Sequence, residues 1–166
     1  MKFSFDRDAL LKEISIAQEI IATKNAISIL SNVLLEASSG TLTIKATDIK
    51  VNFETKIPVD VSEEGSTTVF CDKFMSIISS LPQGEIEFEQ KDIRITIRPA
   101  TKKARFQLKS ITSDKYPEFT SPNNLQFFDV PVKEFKEMIN QTVFSVSADE
   151  TRYFMNGVFM ERAGDK

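Results

Sequence analysis

Hydrophobic and polar residues alternate with two different periods at the start of the chain. The segment "KFSFD" alternates with a period of two, which predicts a strand. The apolar residues of the next stretch, "RDALLKEISIAQEII", recur at helical spacing: Leu10, Leu11, Ile14, Ala17 and Ile21. We expect there an amphipathic helix that begins near Asp6. Three strands are predicted to follow, over "ILSNVLLEA", "TLTIKAT" and "VNFETKIPVDV".

The same order of elements then recurs. "TTVF" predicts a strand, and "CDKFMSIISSL" predicts a helix that begins near Asp72, whose carboxylate we expect to cap the first turn. Pro82 and Gly84 end this helix. The strands "EIEFE", "IRITIR" and "ARFQLKS" are predicted to bury Ile86, Phe88, Ile93, Ile95, Ile97, Phe106 and Leu108. The fold class is therefore α+β, with a strand-helix-three-strand unit that occurs twice and two helices on one side of a sheet.

A longer repeat is superimposed on this one. When the sequence is shifted by 124 residues, similar residues coincide: Phe3 with Phe127, Lys12 with Lys136, Glu13 with Glu137, Asn32 with Asn156, and Gly40 with Gly164. We therefore predict a complete domain over 1–122 and the beginning of a second, similar domain over 123–166. In the second domain we expect a strand, a helix and a further strand that includes "TRYFMNG". Its apolar residues need strands that these 166 residues do not contain, so we expect a fragment of a longer protein whose exposed edge is poorly ordered or covered.

Composition excludes several classes of protein. With 41% hydrophobic and 27% charged residues, and without a long apolar run or a signal-peptide pattern, the chain is expected to be cytoplasmic. The chain has no histidine and a single cysteine, Cys71, which excludes Ser/His and Cys/His catalysis and zinc sites built on histidine. The 24 acidic residues form no convergent cluster. We therefore expect a protein that is not an enzyme and has no metal or cofactor.

Charge is distributed unevenly along the chain. The net charge of −3 does not favour a protein that holds nucleic acid by electrostatic attraction alone. Between positions 92 and 109, however, six basic residues stand against one acidic residue. Two interpretations remain open for this segment: a solvated hairpin face, or a surface that docks against phosphate or a carboxylate-rich protein.

Several ordered segments together carry a family resemblance. "MKFSFDRDALLKEI", "ILSNVLLEASSGTLTIKATD", "SLPQGEIEF", "RFQLKS", "YPEF" and "RYFMNGVFME" resemble the beta subunit of bacterial DNA polymerase III, the sliding clamp. This resemblance implies a DNA-clamp fold with three similar domains per chain. It further implies a homodimeric ring that encircles duplex DNA, acts as a processivity factor for the replicative polymerase, and is loaded by a clamp loader. An acidic ring suits this task, because encirclement requires sliding and not tight phosphate binding.

The resemblance also implies roles for individual residues. DNA contacts fall on Lys24, Asn25 and Tyr153, while Asp72 and Asp149 depart from the family's pattern and would repel phosphate. Arg152 and Met155 correspond to part of a cleft that binds short linear motifs of the polymerase catalytic subunit and the clamp loader. The dimer interface combines apolar and basic residues: Lys73, Ile77, Leu81, Lys103, Arg105 and Phe106.

Two alternatives of other classes remain. One is a peptide-binding interaction module that never encircles DNA, and the other is a small α+β enzyme that uses carboxylates. A protein that stays on circular DNA and slides off after linearisation is a clamp, whereas either alternative is indifferent to DNA topology.

Overall fold

The computed structural model describes residues 1–21, 28–101, 103–119 and 127–164. Their contacts divide the chain into two units, Met1–Thr120 and Ser121–Lys166, each of which is described by itself. None of the described helices is long and apolar enough to cross a membrane.

Unit one contains two helices and nine strands among its described residues. The helices are α1 (Arg7–Ile21) and α2 (Cys71–Ser80). The strands of the first half are β1 (Lys2–Asp6), β2 (Asn32–Ser38), β3 (Thr41–Thr47), β4 (Asn52–Pro58) and β5 (Asp60–Glu63). Those of the second half are β6 (Gly65–Phe70), β7 (Glu85–Lys91), β8 (Arg94–Pro99) and β9 (Phe106–Ile111).

The strands form one antiparallel sheet in the order β4-β3-β2-β6-β9-β8-β7-β1-β5. The first strand of each half pairs with the strand that follows the helix of the other half. Thus β1 lies beside β7, and β6 lies beside β2. The two ends of this order, β4 and β5, are joined along the chain by the single residue Val59, whose N–H donates to the Gly40 carbonyl at 3.0 Å. The predicted α+β arrangement with an internal duplication is thus confirmed, and the two halves hold each other through exchanged strands.

The core lies between the sheet and the helices. Leu10, Ile14 and Ala17 of α1 are fully buried, as the helical spacing predicts, and α1 packs against α2. An aromatic cluster joins the sheet to α2: the Phe3 and Phe88 rings stack at 4.7 Å, and Phe74 meets Phe88 edge-on at 6.3 Å. Alternate residues of β7 and β8 therefore face the helices, and the residues between them face away.

The helix starts differ from one another in how they are capped. The Asp6 Oδ1 atom accepts hydrogen bonds from the N–H groups of Asp8 and Ala9, both at 3.0 Å, and so caps α1, whose start agrees with the predicted one near Asp6. The predicted cap of α2 by Asp72 is wrong, because α2 begins one residue earlier and has no side-chain cap. Asp72 instead accepts a 2.7 Å hydrogen bond from Gln18 Nε2 and so ties α2 to α1.

Three strand predictions in unit one need correction. The segment 52–63 is two strands that break at Val59, because its halves pair with β3 and β1 respectively. "ILSNVLLEA" becomes a strand only at Asn32, after a 3-10 turn over Ser28–Ser31. Ile93 is not buried but 60% exposed, because Lys91 pairs with Arg94 and leaves Asp92 and Ile93 as the two turn residues.

Unit two contains one α-helix among its described residues, α3 (Val132–Thr142), followed by 3-10 turns at Val143–Ser145 and Glu150–Met155. The helix agrees with the longer repeat, since it falls where a shift of 124 residues places α1. The strands predicted on both sides of it are absent from the described residues 127–164. A strand satisfies its backbone hydrogen bonds by pairing with a neighbouring strand, and the described part of this unit contains no strand to pair with.

Candidate functional site

A compact loop presents three of the predicted site residues, Arg152, Tyr153 and Met155. Within it, Ser147 N–H donates to the Met155 carbonyl at 2.9 Å, and Asp149 caps the following 3-10 turn by accepting from Thr151 N–H at 3.0 Å. The Thr151 hydroxyl also donates to Asp149 Oδ1, at 2.7 Å. These hydrogen bonds, that from the Thr151 side chain first, lower the pKa of the Asp149 carboxyl group. The predicted cleft residue Arg152 lies beside it, with Nε 3.7 Å from Asp149 Oδ2.

Asn156 closes this loop. With its amide oriented to satisfy its neighbours, the side-chain nitrogen donates to the carbonyl oxygens of Ser147, Asp149 and Arg152, at 2.9, 3.0 and 3.1 Å. Its counterpart in the longer repeat, Asn32, is buried and donates to Thr68 Oγ1 at 3.0 Å. The sequence analysis did not predict that Asn156 holds this loop together. The only indication was that Asn32 and Asn156 coincide when the sequence is shifted by 124 residues.

The predicted DNA-contacting residues have different outcomes. Lys24 and Asn25 lie outside the described residues. Tyr153 is 80% exposed and meets Phe154 edge-on at 5.6 Å. It lies in a 3-10 turn and not in the strand that was predicted to include "TRYFMNG", and Phe154 is exposed as well. Met155, predicted to form the floor of a peptide cleft, is also exposed.

The predicted interface residues on α2 and directly after it separate into two groups. Lys73 and Ile77 line one shallow depression together with Asp72, Ser76 and Leu108 of β9. Leu81 is only 3% exposed and belongs to the core of unit one. Its side chain therefore packs within unit one, whereas Leu108, which the sequence placed on a buried face, is half-buried in the depression beside Ile77. The role of these residues in an interface stays a prediction.

The remaining residues predicted for the interface are Phe106, which begins β9, and Lys103 and Arg105, which lie just before it. Lys103 and Arg105 are exposed, and Phe106 is half-buried against the core. Residues 106–109 pair with β8 along one side, whereas β6 pairs only with Ser110 and Ile111. Within the described residues, the other side of 106–109 is thus an unpaired strand edge, which is a template for pairing with a further strand.

The Cys71 thiol is buried in the core of unit one. Burial raises the pKa of the Cys71 thiol to about 12, and the neighbouring Asp72 carboxylate adds to the effect, which disfavours the reactive thiolate. Among the described residues, no group of three or more acidic, cysteine or histidine side chains could hold a metal ion.

Comparison with known proteins places the chain in a family. Residues 1–120 match the model of "DNA polymerase III beta subunit, N-terminal domain". The chain belongs to the DNA polymerase III beta subunit family. The resemblance inferred from the sequence segments is thereby confirmed.

Relatives in this family extend well beyond the length of this chain. The beta sliding clamp of Treponema pallidum is 48% identical over 161 residues, which cover 97% of this chain and 43% of that protein. The solved structure of Caulobacter crescentus pol III beta matches with a TM-score of 0.89 at 28% identity, covering 99% of this chain and 45% of that one. A Helicobacter pylori beta clamp bound to DNA ligase peptide matches with a TM-score of 0.69 at 31% identity, covering 74% and 34%. The chain spans less than half the length of each.

Proposed function

We propose that this chain contributes to a DNA polymerase processivity factor, a sliding clamp that forms a homodimeric ring around duplex DNA and tethers the replicative polymerase. The observation that carries the proposal is family membership over residues 1–120, joined to relatives that are named beta sliding clamps. In this proposal residues 1–122 form one complete clamp domain and 123–166 begin the next. The protein acts without catalysis and in the cytoplasm, where bacterial DNA is replicated.

The charges on the helices are compatible with sliding. The exposed residues of α1 include Asp8, Lys12 and Glu19, a mixture that would not hold phosphate tightly. A ring retains DNA by its topology, so it needs few cationic contacts. We assign DNA contact to Lys24, Asn25 and Tyr153.

Ring closure is assigned to the surface that begins at β9. Half-buried Ile77, Leu108 and Phe106 supply an apolar centre, and Lys73, Lys103 and Arg105 supply flanking positive charge. The unpaired edge at 106–109 would allow a strand of the partner subunit to continue the sheet.

Partner binding is assigned in part to Arg152 and Met155. The Helicobacter pylori relative bound to a DNA ligase peptide supports a peptide-binding surface in this family. We propose that the polymerase catalytic subunit and the clamp loader use short linear motifs at the same place. Since residues 152 and 155 are both exposed in one 3-10 turn, they would form part of one wall of such a cleft.

The test uses the protein from the complete reading frame, loaded by its clamp loader onto nicked circular plasmid. Gel filtration should recover the protein with circular DNA and release it when the plasmid is linearised by a single cut. Retention that is equal on circular and linear DNA would instead favour a protein that binds DNA or peptides without encirclement.

A further inference from the structure

The loop over residues 147–156 is closed upon itself by hydrogen bonds. Its two ends meet where the Ser147 N–H donates to the Met155 carbonyl at 2.9 Å. Among the described residues of unit two, 127–164, there is no strand with which the loop could pair. The hydrogen bonds inside the loop therefore have a large part in setting its backbone conformation.

One side chain, that of Asn156, joins three separate points of this loop. Its side-chain nitrogen donates to the carbonyl oxygens of Ser147, Asp149 and Arg152, at 2.9, 3.0 and 3.1 Å. The nitrogen has two hydrogens, so the three carbonyl groups share them. The Asn156 backbone N–H adds a hydrogen bond to the Tyr153 carbonyl at 3.3 Å. A single residue thus gathers carbonyl groups from the start, the middle and the far side of the loop.

The backbone of Arg152 is held from both sides. Its N–H donates to the Asp149 carbonyl at 3.0 Å, and its own carbonyl is one of the three that accept from Asn156. Its dihedral angles, φ −107° and ψ 50°, lie outside the helical region and form a kink within the 3-10 turn. The direction in which the Arg152 side chain leaves the loop therefore depends on the hydrogen bond from Asn156.

The network uses the backbone of the proposed contact residues and leaves their side chains exposed. Tyr153 and Met155 contribute only carbonyl groups to it, and both side chains are exposed. The Arg152 side chain is exposed as well, with Nε 3.7 Å from Asp149 Oδ2. A partner can therefore reach these side chains without breaking the hydrogen bonds that orient them.

The converging carbonyl groups require a donor at position 156. An aspartate has nearly the shape of asparagine, but its ionised carboxylate accepts hydrogen bonds and donates none. At position 156 it would place negative charge against three carbonyl oxygens. The substitution Asn156→Asp therefore removes the donor and leaves the size of the side chain almost unchanged.

We propose that Asn156 is a positioning residue, whose amide holds the loop 147–156 in the conformation that presents Arg152 and Met155 to the short linear motif of a partner. This inference rests on the proposed function, because it names the group that orients the residues assigned there to partner binding. A loop that is already ordered loses less conformational entropy when the partner binds. Partner affinity therefore depends on the Asn156 amide.

The test uses the protein from the complete reading frame and a fluorescein-labelled peptide that carries the short linear motif of the polymerase catalytic subunit. Fluorescence anisotropy gives the affinity of the parent, of Asn156→Asp and of the matched control Asn140→Asp, which makes the same change on α3, outside the loop. Arg152→Ala, alone and combined with Asn156→Asp, completes a double-mutant cycle. Hydrogen–deuterium exchange reports on the loop and on α3 separately.

We expect Asn156→Asp to weaken peptide binding at least tenfold and Asn140→Asp to weaken it less than twofold. Amide exchange should become faster within 147–156 and stay unchanged in α3, because the substitution releases the loop alone. In the Arg152→Ala background the further effect of Asn156→Asp should fall below threefold, since Asn156 acts in part through the Arg152 side chain.

Equal affinity of Asn156→Asp and the parent would overturn this inference and leave the proposed partner site standing. An undiminished effect of Asn156→Asp in the Arg152→Ala background, or faster exchange throughout α3, would also overturn it, because Asn156 would then stabilise the unit as a whole. A parent protein that does not bind the peptide would refute the proposed partner site itself, and the inference with it.

Discussion

At the scale of the residue, Phe88 and Ile93 show how differently two apolar residues of one hairpin contribute. Phe88 is fully buried between Phe3 and Phe74, whereas Ile93 is exposed in the turn. We predict that Phe88→Ala lowers the free energy of unfolding by about 3–5 kcal/mol, since it removes buried surface and leaves a cavity. Ile93→Ala should change it by less than about 0.5 kcal/mol in the same urea titration. Comparable losses in the two variants would contradict the described register of β7 and β8.

Because the Cys71 thiol is buried, the free energy of unfolding depends on pH in the alkaline range. Its pKa rises from 9.0 to about 12 on folding. The thiol therefore stabilises the folded chain below pH 9, and this contribution is lost between pH 9 and 12 as the unfolded chain alone ionises. We predict that Cys71→Ala removes part of the decline in unfolding free energy across that interval, up to about 1.4 kcal/mol per pH unit.

The control for this prediction is alkylation. Iodoacetamide should modify Cys71 slowly at pH 8 in the native chain and rapidly in urea, because the native thiol is buried and protonated. Rapid modification under native conditions, or a Cys71→Ala variant with an unchanged pH slope, would show that the thiol is accessible. Tyr116 also has a pKa raised by burial, so the comparison between variant and parent is needed to isolate the cysteine.

At the scale of the element, the two helices of unit one offer a matched pair of aspartates. Asp6 accepts two backbone hydrogen bonds at the start of α1, while Asp72 in the first turn of α2 receives Gln18 instead. We predict that Asp6→Ala lowers the unfolding free energy by about 0.5–2 kcal/mol, the usual effect of losing a cap. Asp72→Ala should have a smaller effect, because it removes only an exposed side-chain pair. The reverse order, measured by urea denaturation, would contradict the assigned caps.

The same two aspartates show what the local sequence can predict about the start of a helix. Both aspartates lie at the predicted start of an amphipathic stretch, and the sequence assigned a cap to Asp72, whereas the structure places the side-chain cap at Asp6. The difference depends on Gln18, which is 54 positions away from Asp72 in the sequence. The residues next to Asp72 in the sequence contain no information about which distant side chain forms a hydrogen bond with its carboxylate.

At the scale of the whole molecule, the two units differ in how much apolar surface they cover. Unit one has a continuous core, whereas Phe127, Phe144 and Phe159 of unit two are each more than four-fifths exposed. We predict that a chain ending at residue 119 keeps the urea midpoint of unit one and loses most of the binding of a hydrophobic dye such as ANS. A large drop in the midpoint, or unchanged dye binding, would show that unit two stabilises unit one or that its apolar residues are covered.

The sequence by itself determined the features that depend on neighbouring residues. Helical spacing selected Leu10, Ile14 and Ala17 as the buried face of α1, and alternation selected Ile95 and Ile97 in β8. Comparison of the chain with itself located α3, and the ordered segments identified the family. These features follow from the period of a helix or strand, which a short window of sequence contains.

The tertiary structure alone decided what depends on segments far apart in the chain. Strand exchange between the halves, the break at Val59, the burial of Leu81 and the cover over Lys45 all result from pairings that no local pattern encodes. The charge run at 92–109 was visible in the sequence, but whether each cation meets a carboxylate was not. Lys45 has two carboxylates and a ring because β2, β4 and residue 119 converge on it, whereas Arg98 contacts one carboxylate, that of Glu87.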